Sequence, residues 1–264
     1  MEIKTYHQAT TLLDAYETLN KDPKNVIIGG GLWLKHANQN VNTLIDLSQL
    51  GLNQITEEKD DIVVGAMVTI RDFETNPLIH QLASGMLYLG TNQIMGTGFR
   101  NMATIGGSIF GKYPFSDLIT PLLALDTRLV FFMSGEMSLL EYIEKKGKLN
   151  DILVYIKIKK HAGKGYFKKV SNTQLAFSML NVAIHYQHQQ FKIVVGSRPG
   201  VAELAIEAMN HLNQAKSVTK DVIHEAVELM AKTTQFGDNE DATEGYRREL
   251  AKVYMKRGIE EVLA

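Results

Sequence analysis

The sequence predicts an α+β protein made of three consecutive parts. A strand–helix–strand pattern comes first, alternating strands and short helices follow, and the last part places its strands before its helices. The separation of strands and helices in this last part is typical of α+β domains. We therefore divide the 264 residues into parts 1–53, 54–162 and 163–264.

The composition is that of an ordinary globular chain, and it excludes several classes of site. The chain has 28 Lys and Arg residues against 29 Asp and Glu residues, and it has no cysteine. Balanced charge without a basic stretch speaks against nucleic acid and against an anionic membrane surface. Without cysteine, the chain cannot form a disulfide or ligate an iron–sulfur cluster. With no signal segment or membrane-length apolar run, we expect a cytoplasmic protein.

The elements of the first part follow from periodicity and capping. Thr10 and Thr11 can cap a first helix, whose apolar residues recur at helical spacing. A continuous apolar strand at 25–28 runs into three glycines, and a short helical stretch at 32–37 and a strand at 43–46 follow. This order predicts a compact βαβ unit.

The second part changes to short alternating strands separated by charged turns. Its predicted elements are strands at 55 and 62–64, a helix from about Ile70, a glycine-rich loop at 96–107, a capped helix at 116–125, and strands at 129–132 and 152–158.

The third part begins after the polar, glycine-rich run 161–165, which predicts a linker or hairpin. A hairpin of strands 179–186 and 191–195 comes next. The predicted helices are 201–212, 219–232 and 242–262. In the last helix, Tyr246-Arg247-Arg248 is predicted to form a solvated face, with subunit contact as the alternative.

Two glycine-rich loops are the candidate ligand site. The first, Gly29-Gly30-Gly31, connects a strand to a helix and permits a phosphate to approach backbone N–H groups. The second supplies Gly106-Gly107 between two hydroxyls, Thr104 and Ser108. Together they predict a diphosphate held from both sides, although either could be a tight turn without a ligand. Neither matches G-x-G-x-x-G or a P-loop, so a Rossmann nicotinamide site is poorly supported.

The second loop resembles the central motif of the FAD-binding subunits of molybdenum hydroxylases, the xanthine dehydrogenase and carbon monoxide dehydrogenase type. Residues 98–109 stand where that family reads I-R-N-x-x-T-I-G-G-N-I, and Asp117-Leu118 matches its following D-L. The first loop is similar to the family's A-G-G-T-D-L. Phe167-Lys168-Lys169 and Leu180-Asn181-Val182-Ala183 resemble the start of its C-terminal domain, so the resemblance covers nearly the whole chain.

The resemblance implies a fold and a cofactor. The fold is a two-subdomain FAD-binding fold of the PCMH type, followed by a C-terminal α+β domain with an antiparallel sheet and helices, like that of the carbon monoxide dehydrogenase flavoprotein. Its cofactor is FAD. The backbone groups implied to hold the diphosphate are those of Ile27, Ile28, Gly29, Gly30, Gly31 and Leu32, and the segment closing over it is Thr104, Ile105, Gly106, Gly107 and Ser108.

Five further residues receive roles from the resemblance. Asp117 matches an aspartate that bonds the sugar or ribityl hydroxyls, with helix capping as its alternative role. Ile94 and Leu153 fall where apolar residues line the flavin or adenine, or are plain core. Lys168 and Lys169 match a basic pair near the flavin edge, where a cation stabilises the reduced ring. Alternation in a strand lets only one of the two lysines face inward.

As a function, the resemblance implies electron relay within a multi-subunit oxidoreductase. Electrons arrive from a small [2Fe-2S] subunit and leave from FAD to NAD, oxygen or a quinone, and hydroxylation occurs on a large molybdopterin-binding subunit. We therefore assign no catalytic residue and no metal site to this chain.

The chain departs from the family pattern at three places. Gly31-Leu32 replaces Thr-Asp, Ser108 replaces asparagine, and Ser171-Asn172-Thr173 stands where an arginine-rich stretch is expected. These changes predict a backbone-dominated FAD site of modest affinity. They leave open a weakly flavinated assembly or interaction subunit. A stand-alone flavin oxidoreductase is a further alternative, but it would need its own substrate pocket.

Overall fold

The computed structural model describes residues 2–36, 40–160 and 163–264. The strands are β1 (Ile3–Gln8), β2 (Val26–Ile28), β3 (Val41–Asp46), β4 (Ile55–Glu57), β5 (Asp61–Gly65), β6 (Arg128–Phe131), β7 (Gly135–Ser138), β8 (Leu153–Lys159), β9 (Lys164–Val170), β10 (Leu180–Gln187), β11 (Gln190–Gly196) and β12 (Glu203–Leu204). The α-helices are α1 (Leu12–Lys21), α2 (Ile70–Thr75), α3 (Pro77–Gln81), α4 (Met86–Thr91), α5 (Thr97–Arg100), α6 (Ile105–Phe110), α7 (Ile119–Ala124), α8 (Leu139–Glu144), α9 (Ile206–Gln214), α10 (Lys220–Thr233) and α11 (Glu244–Leu263). Short 3-10 helices lie at Leu34–His36, Ser48–Leu50 and Leu82–Gly85.

The chain forms two compact units, and neither is continuous in sequence. Unit 1 comprises residues 1–73, 97–111 and 127–158. Unit 2 comprises residues 74–96, 112–126 and 159–264. The division into parts 1–53, 54–162 and 163–264 stays a prediction.

Unit 1 contains a three-stranded parallel sheet with strand order β1-β3-β2. Thr11 caps α1 by accepting a hydrogen bond from the Asp14 N–H, as its position before the helix predicts. The buried residues Ala15 and Leu19 of α1 pack with Ile45 of β3. The two predicted strands are present as β2 and β3 and pair in parallel, but the helix described between them is the 3-10 helix Leu34–His36, and α1 connects β1 to β2 instead.

The second sheet of unit 1 has strand order β4-β5-β8-β6-β7. The first turn of α6 is tied to the residues that follow β5, because the Ile105 and Gly106 N–H groups donate to the Val68 and Ala66 carbonyls at 2.9 and 2.8 Å. The second glycine loop is thereby anchored to this sheet.

Unit 2 is built around an antiparallel sheet with strand order β12-β11-β10-β9. Leu180, Val182 and Ile184 of β10 share a buried cluster with residues of α9, α10 and α11. Asn181, which alternation places on the other face, bonds Thr120 of α7. The sheet is consequently buried on both faces, and the predicted order of strands before helices is confirmed.

Several boundaries differ from the prediction. Three short strands carry no clear sequence pattern: β1, an edge strand whose residues are mostly exposed, β7, and β12, which lies within the predicted helix 201–212. The stretch 32–37 contains the 3-10 helix Leu34–His36, and Ala37 lies outside the described residues. In the run 161–165, His161 and Ala162 also lie outside them, whereas Lys164 and Gly165 already belong to β9.

Arg247 contradicts the prediction of a solvated helix face. Its side chain is fully buried, and its guanidinium donates to the Met179 and Ser197 carbonyls and to the Asn239 amide oxygen. Tyr246 is exposed as predicted. The Arg247 side chain points into the protein, where it meets three hydrogen-bond acceptors. Helical periodicity does not reveal these acceptors, because they lie on other segments of the chain.

No helix within the described ranges is both long and apolar enough to cross a lipid bilayer.

Candidate functional site

The first glycine loop leaves β2 and presents partly exposed backbone. Residues 27–34 are all intermediate in burial, and Gly31 has a φ of 71°, in the left-handed region that favours glycine. The Gly31 carbonyl accepts from the Lys35 N–H at 3.3 Å. Gly29, Gly30 and Gly31 therefore present partly exposed main chain that no side chain of their own covers.

The second glycine loop packs directly against the first. A Cβ at Gly30 would lie 1.9 Å from the Met102 carbonyl oxygen, and one at Gly29 would lie 2.5 Å from Thr104 Oγ1. Such distances admit no side chain, so both positions need glycine for close approach. The two predicted loops are thus brought together within unit 1.

The N–H groups of the second loop are already used by the protein. Thr104 is the N-cap of α6, where its hydroxyl accepts from the Gly107 N–H at 3.2 Å and its carbonyl accepts from the Ser108 N–H at 3.0 Å. The N–H groups of Ile105 and Gly106 donate to residues that follow β5. The Ser108 hydroxyl donates to the Thr104 carbonyl at 2.8 Å. Loop 104–108 therefore supports the first loop, with Gly107 exposed and Ser108 half-buried at its surface.

Asp117 lies in unit 2 at the centre of a buried polar network. Its carboxylate accepts from the Ser178 hydroxyl and, at 2.7 Å, from the Asn181 amide. The Lys169 ammonium lies 3.3 Å from its second oxygen. The side chain that bonds the start of α7 is that of Ser116, whose hydroxyl accepts from the Ile119 N–H at 3.1 Å. Burial raises the pKa of Asp117, and Lys169, Ser178 and Asn181 oppose that rise by stabilising the carboxylate.

The two lysines of β9 face opposite sides of the strand, as alternation predicts. Lys169 has only 2 % of its side chain exposed, and its ammonium donates to the Gln93 carbonyl at 3.0 Å as well as pairing with Asp117. Lys168 is exposed, with its ammonium 5.7 Å from the centre of the Tyr254 ring. The inward-facing member of the pair is therefore Lys169.

The two apolar candidates occupy different surroundings. Ile94 is half-buried, directly after Gln93, and its N–H donates to the Thr91 carbonyl at 3.1 Å. Leu153 is buried at the start of β8. Among the candidate residues, unit 1 thus holds both glycine loops and Leu153, whereas unit 2 holds Ile94, Asp117 and both lysines.

Comparison with models of protein families shows which family the chain belongs to. Residues 1–158 match the model of the FAD binding domain in molybdopterin dehydrogenase, which is more than half of the chain. The chain is an FAD-binding subunit of the molybdenum hydroxylase family. Residues 165–262 of this FAD-binding subunit match the C-terminal domain of the CO dehydrogenase flavoprotein, which confirms the predicted order of domains.

Individual relatives agree with the family. The FAD-binding subunit is 26% identical to a xanthine dehydrogenase FAD-binding subunit of Escherichia coli, with 70% of this chain and 68% of the relative covered. It is 22% identical to the glyceraldehyde dehydrogenase medium chain of Sulfolobus acidocaldarius, with 98% of both chains covered. Its fold superposes on a chain of the carbon monoxide dehydrogenase of Hydrogenophaga pseudoflava with a TM-score of 0.90, at 19% identity, over 100% of this chain and 98% of that one.

The first loop of this FAD-binding subunit fits the diphosphate of FAD. Three consecutive glycines, partly exposed and held by the second loop, let phosphate oxygens come close to the main chain. The family's threonine and aspartate are absent at Gly31 and Leu32, so this fit depends on backbone groups.

Sequence reasoning missed Ser178 and Asn181 as partners of Asp117. The motif Leu180-Asn181-Val182-Ala183 indicates a domain but not the partner of Asn181, because a polar residue in an apolar strand carries no local sign of its partner. A fully buried asparagine requires hydrogen-bond partners, and that requirement was the available signal.

Proposed function

We propose that this chain holds FAD and relays electrons from iron–sulfur clusters on a small [2Fe-2S] partner subunit to an external acceptor. Hydroxylation would take place on a separate molybdopterin-binding large subunit. The observation that supports this proposal is the family match across both domains, in a chain without cysteine to ligate a cluster of its own. The acceptor would be NAD, oxygen or a quinone.

The chain's own part in this function is to bind and orient the cofactor. When bound, FAD supplies the redox chemistry. The main chain of 27–32 would hold the diphosphate, with loop 104–108 fixing its position. Asp117 would accept hydrogen bonds from sugar or ribityl hydroxyls, and Ile94 and Leu153 would line the rings.

The decisive experiment is to purify the full chain and identify any cofactor released by denaturation from its absorbance and chromatography. We expect FAD, at up to one equivalent after reconstitution. Absence of FAD from the purified chain, together with no binding at excess FAD, would overturn the proposal.

A pair of glycine variants tests the place of the diphosphate. In Gly30→Ala the new methyl group would collide with the Met102 carbonyl and push the two glycine loops apart. Because this moves the backbone N–H groups of the first loop away from the diphosphate, we expect FAD affinity to fall by at least about tenfold. Gly98→Ala is the control, since a Cβ there meets nothing within 4 Å. Equal FAD affinities of the two variants, measured by fluorescence titration, would contradict a diphosphate site at the first loop.

A second candidate function is a weakly flavinated assembly subunit. It is favoured by the hydrogen bonding of loop 104–108, whose N–H groups at 105–108 already donate to protein acceptors. Co-purification with the two partner subunits in the absence of FAD would support this function. Isolation of the lone chain with flavin oxidoreductase activity would instead support a stand-alone enzyme.

A further inference from the structure

Three aromatic side chains of unit 2, Tyr113, Phe115 and Phe177, form a row that we call the aromatic ladder. The Tyr113 and Phe115 rings are stacked with their centres 5.5 Å apart, and the centres of the Phe115 and Phe177 rings lie 4.3 Å apart. Phe177 is 39% exposed, and Leu175 on the same loop is 56% exposed. A cluster of apolar side chains that stays in contact with solvent is typical of a binding site.

The loop that carries Phe177 is held in place on both sides of this residue. Directly before it, the Ala176 N–H donates to the Thr173 carbonyl at 3.1 Å. Directly after it, the Ser178 hydroxyl donates to the Asp117 carboxylate. The structure therefore presents the Phe177 ring in a fixed position, next in sequence to a residue that bonds Asp117.

The two segments that carry the ladder are neutral. Residues 113–116 and 171–178 contain no Lys, Arg, Asp or Glu. Burial raises the pKa of Tyr113, so its phenol keeps its proton at neutral pH. The nearby charges of Asp117 and Lys169 pair with each other, with only 5% and 2% of the two side chains exposed. A ligand on these segments thus meets aromatic rings rather than charged groups.

These properties distinguish between the acceptors of the proposed function. NAD carries a diphosphate, which proteins hold with cations or with the N–H groups at a helix N-terminus. The two segments contain no cation, and the nearest one along the chain is Lys112. A quinone is a neutral, planar ring, and planar rings stack on aromatic side chains. The ladder therefore fits a quinone better than a dinucleotide.

We propose that the aromatic ladder is the docking site of a quinone, which is the external electron acceptor of this FAD-binding subunit. The quinone becomes a quinol by taking up two electrons and two protons from the reduced flavin, which returns to its oxidised form. This inference rests on the proposed function, because it takes Asp117, beside the ladder, as a contact of FAD.

Reoxidation of the reduced flavin in the full chain tests the proposal. The FAD-loaded protein is reduced with dithionite in the absence of oxygen and mixed with menadione or with NAD in a stopped-flow instrument, and flavin absorbance is followed. The variants are Phe177→Leu and Phe115→Leu, each of which removes one ring from the ladder. Ile206→Ala is the control, because Ile206 is 48% exposed at the start of α9. FAD affinity and melting temperature are measured for every variant.

We expect the reoxidation rate to saturate with menadione. Each ladder variant should raise the half-saturating menadione concentration about fivefold, because it removes a stacked ring. FAD affinity should be unchanged in both ladder variants, and Ile206→Ala should match the wild type. Reoxidation by NAD should be slower than by menadione and should not respond to the ladder variants.

Several results would overturn the proposal while leaving the proposed function intact. These are a rate that rises linearly with menadione concentration, equal half-saturation in the wild type and Phe177→Leu, and faster reoxidation by NAD than by menadione. Weaker FAD binding in both ladder variants would also contradict the proposal, because the ladder would then hold the flavin itself. A wild-type chain that binds no FAD would instead overturn the proposed function, and the quinone site with it.

Discussion

At the scale of single residues, burial separates neighbours that the sequence presents as equivalent. Arg247 and Arg248 are adjacent cations in the first turns of α11. Arg247 is fully buried and donates to three acceptors, whereas Arg248 is partly exposed, pairs with Glu244 and donates to the Ala231 carbonyl at 3.1 Å. A buried acceptor that loses its hydrogen-bond donor lowers the stability of the folded protein markedly, whereas a surface ion pair contributes little to that stability.

This difference predicts unequal effects of two adjacent substitutions. Arg247→Met removes the guanidinium donor of the buried Met179 and Ser197 carbonyls, so we expect a loss of about 3 kcal/mol or more in the free energy of unfolding. Arg248→Met, which loses a surface ion pair and one partly buried hydrogen bond, should cost about 1 kcal/mol. Urea denaturation of both variants measures the difference, and losses of equal size would show that burial of Arg247 is not what makes it important.

At the scale of elements, glycine allows α11 to lie close to the sheet of unit 2. A Cβ at Gly258 would lie 2.4 Å from Tyr166 Cδ1 and 2.8 Å from Ile184 Cδ1. Both neighbours belong to the buried cluster between the sheet and the helices. A residue that is ordinarily unfavourable inside a helix is therefore favourable here, because packing outweighs helix propensity.

The same helix supplies a matched pair of alanine substitutions. Gly258→Ala introduces a methyl group into packed side chains, and we expect it to destabilise the protein by about 1–3 kcal/mol. Gly245→Ala, in the first turn, meets nothing within 4 Å, and we expect it to be stabilising by about 0.5 kcal/mol. Chemical denaturation should thus give changes of opposite sign. Stabilisation by both substitutions would mean that α11 and the sheet are not in close contact at Gly258.

At the scale of the whole molecule, the proposed cofactor links binding to stability. A ligand that binds only the folded chain adds about 2.7 kcal/mol to the free energy of unfolding at a concentration of 100 times its Kd. For a chain of this size, we expect FAD at that excess to raise the melting temperature of the apoprotein by roughly 5–10 °C. Differential scanning fluorimetry measures this shift.

FMN serves as the control in the same measurement. It lacks the diphosphate, so at equal concentration it should produce a much smaller shift than FAD if the first glycine loop holds that group. Equal shifts in melting temperature with both flavins would mean that binding depends on the part of the molecule that FAD and FMN share. That result would argue against a diphosphate site at residues 27–32.

The sequence by itself determined the fold class, the family and the two glycine loops. These follow from local patterns, since periodicity, caps and an ordered motif are written in neighbouring residues. Cap residue Thr11 and the hairpin of β10 and β11 were predicted for this reason. The cofactor contacts of Asp117, Ile94 and the other candidate residues stay predictions.

Only the tertiary structure decided which partners the polar residues have. Asp117 meets Ser178 and Asn181 across more than sixty positions of sequence. Arg247 meets the Met179 carbonyl over a similar separation, which reversed its predicted exposure. The N–H groups of Ile105 and Gly106 in the second glycine loop bond to residues that follow β5, which no motif indicates. The physical reason is that burial and hydrogen bonding depend on segments that folding brings together, whereas a sequence pattern reports only what each segment prefers alone.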